Sequence, residues 1–401
     1  MCLRIAKGTY PVSVMRKALT LLFLSCSLFN LNGQPATDIV IGRAYSIDSK
    51  ILGETRQYMV SLPVSYQGDD FYIDNSYPVM IVLDGERLFQ LTASMVQTMS
   101  SGGTEQIPEM IVIGIPNTDR SRDMLPNYAN EAVASGAVEF RRFIEEEFLP
   151  SVDITYRTTN CRILVGHSYS GLFAVDTFLE SDSFKGFVAI DPSLWWDDQV
   201  LIKRAQELLA KKETFTSSIY FGQANNPFNE GIEAGRLGRA VQAFTRTLDT
   251  LQIADLRYQT HFYEHEDHYS IPLITLYDGI QFVFEGYKYP LNQIKASTGE
   301  SIRQHYEALS ERMGGQLSPP GKLLNQVGMY LLEEEERIAD AIKILELSAE
   351  SYPNSHIPYL SLAEGYRQAG DTEKAITQYK RVLELSPSNE EVKLRLAELK
   401  N

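Results

Sequence analysis

Between Tyr77 and Tyr263 the chain repeats one pattern: a short strand-like run, a turn, then a stretch with helical spacing. The runs are Tyr77 to Leu83 (YPVMIVL), Met110 to Ile115 (MIVIGI), Ile163 to Val165, Phe187 to Ile190, Ser218 to Phe221 and Tyr258 to Tyr263. A strand apolar on both faces must be covered on both faces, and helical patterns such as Leu88 to Met99 and Ala137 to Phe148 supply the cover. The alternation predicts βαβ units in a doubly wound, mostly parallel sheet. Ahead of it, Ile39 to Ile47 and Gln57 to Leu62, joined by SKILGETR around Gly53, predict an antiparallel entry hairpin. In such sheets reactive groups gather beyond the carboxyl ends of the strands, so the residues just after each run are the ones to inspect.

After Ile163 to Val165 comes Gly166-His167-Ser168-Tyr169-Ser170-Gly171, then LFAVDTFL with helical spacing. Ser168 thus sits on a sharp strand-to-helix turn, the context of a nucleophile elbow. The turn lifts the hydroxyl above the sheet edge, requires small neighbours, and points the positive end of the next helix at a developing oxyanion. Ser170 stands where the usual spelling has glycine. A serine needs a base, and His268 follows the last run and lies downstream of the serine, in the chain order serine, acid, histidine. His265 is the rival base, His261 lies within the run, and His167 points the wrong way from inside the elbow.

SKILGETR, YPVMIVLDGE, IVIGIPNTDRSRDMLP, RILVGHSYSGLF, DPSLWWDD and EDHYSIPLITLYDGI occur in that order over about Ser49 to Tyr287. Together they resemble the esterase D-type putative esterase family of α/β-hydrolases, which includes siderophore esterases, feruloyl esterases and mycolyltransferases. The resemblance implies Ser168 as nucleophile and His268 as base. It also implies an oxyanion hole from backbone N–H groups at Gly85 or Glu86 and at Tyr169. Tyr269 replaces the glycine that relatives commonly carry after the histidine, which narrows the space beside the base.

The acid is expected after the run Ser218 to Phe221, where no carboxylate stands at the tip. Glu230 is the first candidate from the following loop, with Glu233, Asp197 and Asp191 as alternatives. A Ser168–His268 dyad, with Asn225 or a carbonyl orienting the imidazole, is the remaining reading. Asn117, Arg120 and Arg122 follow Ile115 and could meet an anionic substrate, although Arg122 beside Asp119 and Asp123 equally reads as a loop brace. Trp195 and Trp196 are placed either to stack on an aromatic acyl group or to cap the core. No cofactor is implied and no metal site is read. The paired His265 and His268 are weak evidence for one.

Past Tyr287 the pattern changes. Ser318-Pro319-Pro320-Gly321 punctuates a new start, and only helical patterns follow. Ala341-Ile342, Leu345 and Pro353 recur as Ala375-Ile376, Tyr379 and Pro387, a spacing of about 34 residues that resembles the tetratricopeptide repeat. The first repeat is degenerate around Gly328, and Val392 to Leu399 reads as a capping helix. Fewer than about three repeats rarely stand alone, so this unit should lean on the preceding domain or on a second copy.

Arg16 and Lys17 followed by an apolar run through Phe29 and then polar residues read as a secretory signal ending near Gly33. A lipid anchor at Cys26 ranks below simple export, and the run is too short for a stable membrane span. Cys161 is the cysteine left beyond the leader, so no internal disulfide is expected. With a formal net charge of -15, the chain lacks the basic face a nucleic-acid partner requires.

The expected architecture is therefore a signal peptide over 1–33, an α/β-hydrolase esterase domain over 34–288 and a linker over 289–321. A small all-α repeat unit with its capping helix completes the chain over 322–401. The leading functional reading is an exported serine esterase acting on a small-molecule ester through an acyl-enzyme. Its substrate would be a siderophore ester or an acylated polysaccharide. The repeats would serve a protein partner, self-association or structure alone. The alternative is a non-catalytic binding or scaffold protein that keeps the hydrolase fold and works through its repeats.

Overall fold

A computed structural model describes residues 38–69, 71–101, 105–128, 136–212, 214–225 and 232–399. The leader over 1–33, with Cys26, lies outside these residues. Eight strands form one sheet in the order β1-β2-β4-β3-β5-β6-β7-β8. They are β1 Arg43–Ser49, β2 Glu54–Ser61, β3 Tyr77–Leu83, β4 Ile111–Ile115, β5 Thr158–His167, β6 Gly186–Ile190, β7 Ser218–Ala224 and β8 Arg257–Tyr263. β1 and β2 pair antiparallel around a turn at Gly53, whose φ of 67° suits glycine. β2 meets β4 antiparallel, and every pair from β4 through β8 is parallel.

The helices are α1 Gly85–Met99, α2 Arg120–Met124, α3 Gly136–Arg142, α4 Leu149–Thr155, α5 Tyr169–Glu180, α6 Trp196–Leu209, α7 Ile232–Leu251, α8 Pro272–Val283, α9 Gly299–Met313, α10 Gly321–Leu332, α11 Ile338–Ser351, α12 His356–Gln368, α13 Thr372–Leu385 and α14 Glu390–Glu398. Alternate residues of each central strand serve different cores, as the two-residue period demands. Met80, Val82, Ile163 and Val165 join the layer containing α1 and α8, whereas Val79, Ile81, Leu164 and Phe187 join the layer containing α5, α6 and α7. Because both layers are apolar, β3, β4 and β6, and Ile163 to Val165 within β5, read in sequence as hydrophobic runs.

The first of these cores runs on without a break into the C-terminal helices. Met80 and Ile163 belong to the same cluster as Tyr306, Leu345, Ala375 and Tyr379. The segment 289–321, expected to be a linker, contains a 15-residue helix, α9. Its Ile302, Tyr306, Leu309 and Met313 form a buried stripe at helical spacing. Thr298 and Ser301 cap its start reciprocally, and Gly314 ends it at φ 63°. The repeat helices therefore lean on the sheet domain through α9. Gly328 lets α10 cross close to α11, since a Cβ there would lie 2.5 Å from Leu345 Cδ2.

Candidate active site

Ser168 has φ 61° and ψ −114°, a strained conformation for a residue with a side chain. The strain is held by the sheet and helix on either side. Its N–H donates to the Ile190 carbonyl at 2.9 Å, and its own carbonyl accepts from Leu172 and Ser193. Gly166 must be glycine, because a Cβ there would lie 2.1 Å from the Ser170 carbonyl oxygen. Ser170 is buried, donates from Oγ to Asp84 at 2.7 Å and accepts from the His167 N–H at 2.7 Å. The departure from glycine thus supplies a tie between the elbow and the β3–α1 turn.

That turn is itself braced. Asp84, left-handed at φ 51°, receives Arg120 at 2.6 and 2.9 Å and Asn117 at 2.6 Å. Burial pushes the Asp84 carboxyl up, but the Arg120 guanidinium with Ser170 and Asn117 outweighs it and holds the group below its usual range. Arg120 also donates to the His167 carbonyl at 3.0 Å. Gly85 and Glu86 open α1 and Tyr169 opens α5, positions whose N–H groups have no carbonyl to bond within their own helix. A Cβ at Gly85 would lie 2.7 Å from the Gly114–Ile115 backbone, so β4 passes too close for any other residue.

His268 stands beyond β8. Its Nδ1 lies 2.6 Å from Oδ2 of Asp191, which is 2 % exposed and just past β6. Asp191 is fixed by its own N–H, donated to the Gly222 carbonyl at 2.8 Å, and by the Ala224 N–H, which reaches its Oδ1 at 3.1 Å. A carboxylate can only accept, so the proton resides on Nδ1 and Nε2 is the basic nitrogen. The carboxylate on the imidazole is therefore Asp191, which sequence reasoning placed behind Glu230 and Glu233. Glu230 lies outside the described residues, as does the side chain of Glu233, and Asp197 is exposed. Asn225, the expected alternative orienter, instead bonds the Glu264 and Glu266 carbonyls.

His167 is buried, and its Nε2 lies 2.8 Å from the His268 carbonyl, with ring centroids 4.5 Å apart. Burial first, then the neighbouring His268 and Arg87, push its pKa down to about 4. It is neutral at pH 7 and must donate from Nε2, since a carbonyl can only accept. Sequence reasoning gave His167 no part; the structure puts it against the backbone of the histidine loop. Tyr269 stacks edge-on against His268 at 5.4 Å and carries Arg87 over its ring at 5.5 Å. His261 and His265 are exposed.

The expected substrate contacts divide. Arg122 braces the loop, bonding Glu54 and Asp123 while Glu54 is held down to about 2, chiefly by Arg122 hydrogen bonds outweighing burial. Asn117 is engaged by Asp84 and Glu86. Trp196 donates to the Pro126 carbonyl at 3.2 Å and meets Tyr169 edge-on at 5.9 Å, and Trp195 packs on Trp196. Both tryptophans are half-buried at the edge of the core beside the elbow.

Residues 49–281 match the family model described as putative esterase, which spans more than half of the chain. The chain belongs to the putative esterase family. A tetratricopeptide repeat model matches residues 357–399 of this esterase-family protein. It is 29% identical over 185 residues to the siderophore enterobactin esterase of Emericella nidulans, covering 40% of this chain and 61% of that one. It is 29% identical over 184 residues to the ferri-bacillibactin esterase BesA of Bacillus subtilis, covering 40% and 60%. The match thus spans about three fifths of the length of these curated relatives. An IroE-like serine hydrolase from Shewanella oneidensis superposes with a TM-score of 0.67 at 30% identity, over 77% of this chain and 99% of that one. An uncharacterised protein from Capnocytophaga ochracea, 15% identical, shares the fold over 90% of this chain with a TM-score of 0.62.

Proposed function

We propose that this protein is a serine carboxylic-ester hydrolase. Ser168 attacks the ester carbonyl, and His268 takes the proton on Nε2 and returns it to the leaving alcohol. Asp191 holds the imidazole tautomer, and water then releases the acyl-enzyme. The N–H groups of Tyr169 and of Gly85 or Glu86 stabilise the oxyanion. The observation that carries the reading is the 2.6 Å Asp191–His268 contact. It lies at the same sheet end as a serine strained to φ 61° at a strand-to-helix turn. The names of the relatives favour a siderophore ester over an acylated polysaccharide as substrate. Tyr269, Arg87 and the paired tryptophans would line the approach.

In the same reading residues 34–288 form the esterase domain, export follows from the leader at 1–33, and the helices over 322–401 offer a surface to a protein partner. The alternative of a non-catalytic scaffold was motivated by the altered glycines and an unassigned acid. The bonds of Ser170 account for one of those glycines and Asp191 stands where an acid is needed, which supports the catalytic reading.

Incubation of the protein with a fluorophosphonate and with short aryl esters tests the proposal. Labelling at Ser168 and turnover abolished in Ser168→Ala are expected. Absence of both label and turnover in a folded wild-type chain would overturn it.

A further inference from the structure

A cavity of about 430 Å³ lies at the other end of the sheet, lined by Tyr77 and Pro78 at the start of β3, Thr159 at the start of β5 and Tyr352 at the end of α11. Ser168 follows the far end of β5, roughly 30 Å away at about 3.3 Å per residue. The cavity is closed partly by the sheet domain and partly by the repeat helices, so neither alone would make it.

Its polar lining is lopsided: among the described residues, Asp69, Asp74, Glu105 and Glu109 share it with one cation, Lys322. Three of these carboxylates have local partners: Asp69 has Lys322 at 3.2 Å, Asp74 has Asn354 at 3.3 Å and Glu109 has Ser65. Glu105 has no ion pair among the described residues, and burial pushes its carboxyl up. Tyr287 supplies a separate observation. It is 6 % exposed, lines the cavity, and among the described residues its hydroxyl makes no hydrogen bond. The hydroxyl is not among the enclosed polar atoms that lack a partner, so it keeps accessible surface and can take a hydrogen bond from a ligand in the cavity.

Lys322 indicates what that something is. Its ammonium rests against the Asp69 carboxylate and 5.6 Å over the Tyr72 ring, the pairing of carboxylate and aromatic face that recognises an alkylammonium group. A metal ion is a poorer match, because among the described residues no three His, Cys, Asp or Glu side chains converge as ligands. We propose that the cavity between the sheet domain and the repeat helices binds a small organic cation, an alkylammonium of the diamine or polyamine class. Glu105 and the Tyr287 hydroxyl receive its ammonium group.

The test is titration calorimetry of the full chain with putrescine and spermidine at about 0.15 M salt, where exposed charges are screened. Calcium chloride and succinate serve as controls. Saturable binding of an amine is expected, weakened about tenfold or more by Glu105→Gln and by Tyr287→Phe. Ser168→Ala should bind it as the wild type does, and Glu105→Gln should leave ester turnover unchanged. Failure of both amines to bind at millimolar concentration would overturn the proposal. So would equal affinity in wild type and both variants, or saturable calcium binding with no amine binding. Melting temperatures establish that the variants fold; should one of them not, Asp74→Asn on the exposed rim gives the same reading.

Discussion

Replacing Asp191 by asparagine changes one atom and reverses the direction of one hydrogen bond. The asparagine keeps an Oδ1 able to accept the Ala224 N–H at 3.1 Å, so the turn after β6 stays in place. The atom 2.6 Å from His268 Nδ1 becomes an amide nitrogen, which donates. Nδ1 must then accept, the ring proton moves to Nε2, and the nitrogen needed as base is blocked. The expected loss in kcat is about 10³- to 10⁴-fold, or ~4–5.5 kcal/mol at 1.36 kcal/mol per decade. Stability should fall by only about 1–2 kcal/mol, since a charge-assisted bond becomes a neutral one. Rates on an aryl ester, together with melting curves, separate the two effects. Glu230→Gln, Glu233→Gln and Asp197→Asn should each stay within about threefold of wild type. Asp191→Asn activity within about tenfold of wild type, or an equal loss in Glu230→Gln, would refute the assignment.

Ser168→Gly should abolish turnover yet raise stability by about 1 kcal/mol, because glycine relieves the strain at φ 61° at a smaller entropic cost; a lowered melting temperature would contradict this. His167 has a folded pKa near 4 against an ordinary 6.5, so between these values the unfolded chain binds more protons. Its contribution is whole above pH 6.5 and is lost as pH falls toward 4, up to about 3 kcal/mol, which denaturant midpoints of wild type and His167→Gln across that range would measure. His167→Phe should lower kcat about tenfold or more with KM little changed, and glutamine, which can still donate to the His268 carbonyl, should recover part of it. Leu345→Ala, in the core shared by sheet and repeats, should cost about 2–5 kcal/mol and shift a single melting transition rather than create a second.

Local pattern carried much of the architecture. Two-faced apolar runs required covered parallel strands, and Gly166 to Gly171 between a strand and a helix required an elbow, so Ser168 was legible from neighbours in the chain. His268 was legible from chain order and a preceding strand. Asp191 was not, because its partner is 77 residues away and its position depends on the turn after β6 bonding the end of β7. Only the parallel register of β6, β7 and β8 brings those strand ends level. Arg122 was ambiguous for a related reason: its carboxylate partner Glu54 lies on the entry hairpin, 68 residues earlier. The helix at Gly299–Met313 had the apolar spacing of its neighbours, but the Pro-rich punctuation after it favoured a linker. Sequence alone thus determined the sheet, the strand-to-helix turn that carries Ser168, the loop that carries His268 and the repeats, each set by contacts within one element or between adjacent ones. Tertiary structure decided which carboxylate meets the base, what Ser170 and His167 bond, and that the repeats share a core with the sheet. Those contacts join residues whose separation along the chain bears no relation to their distance in space.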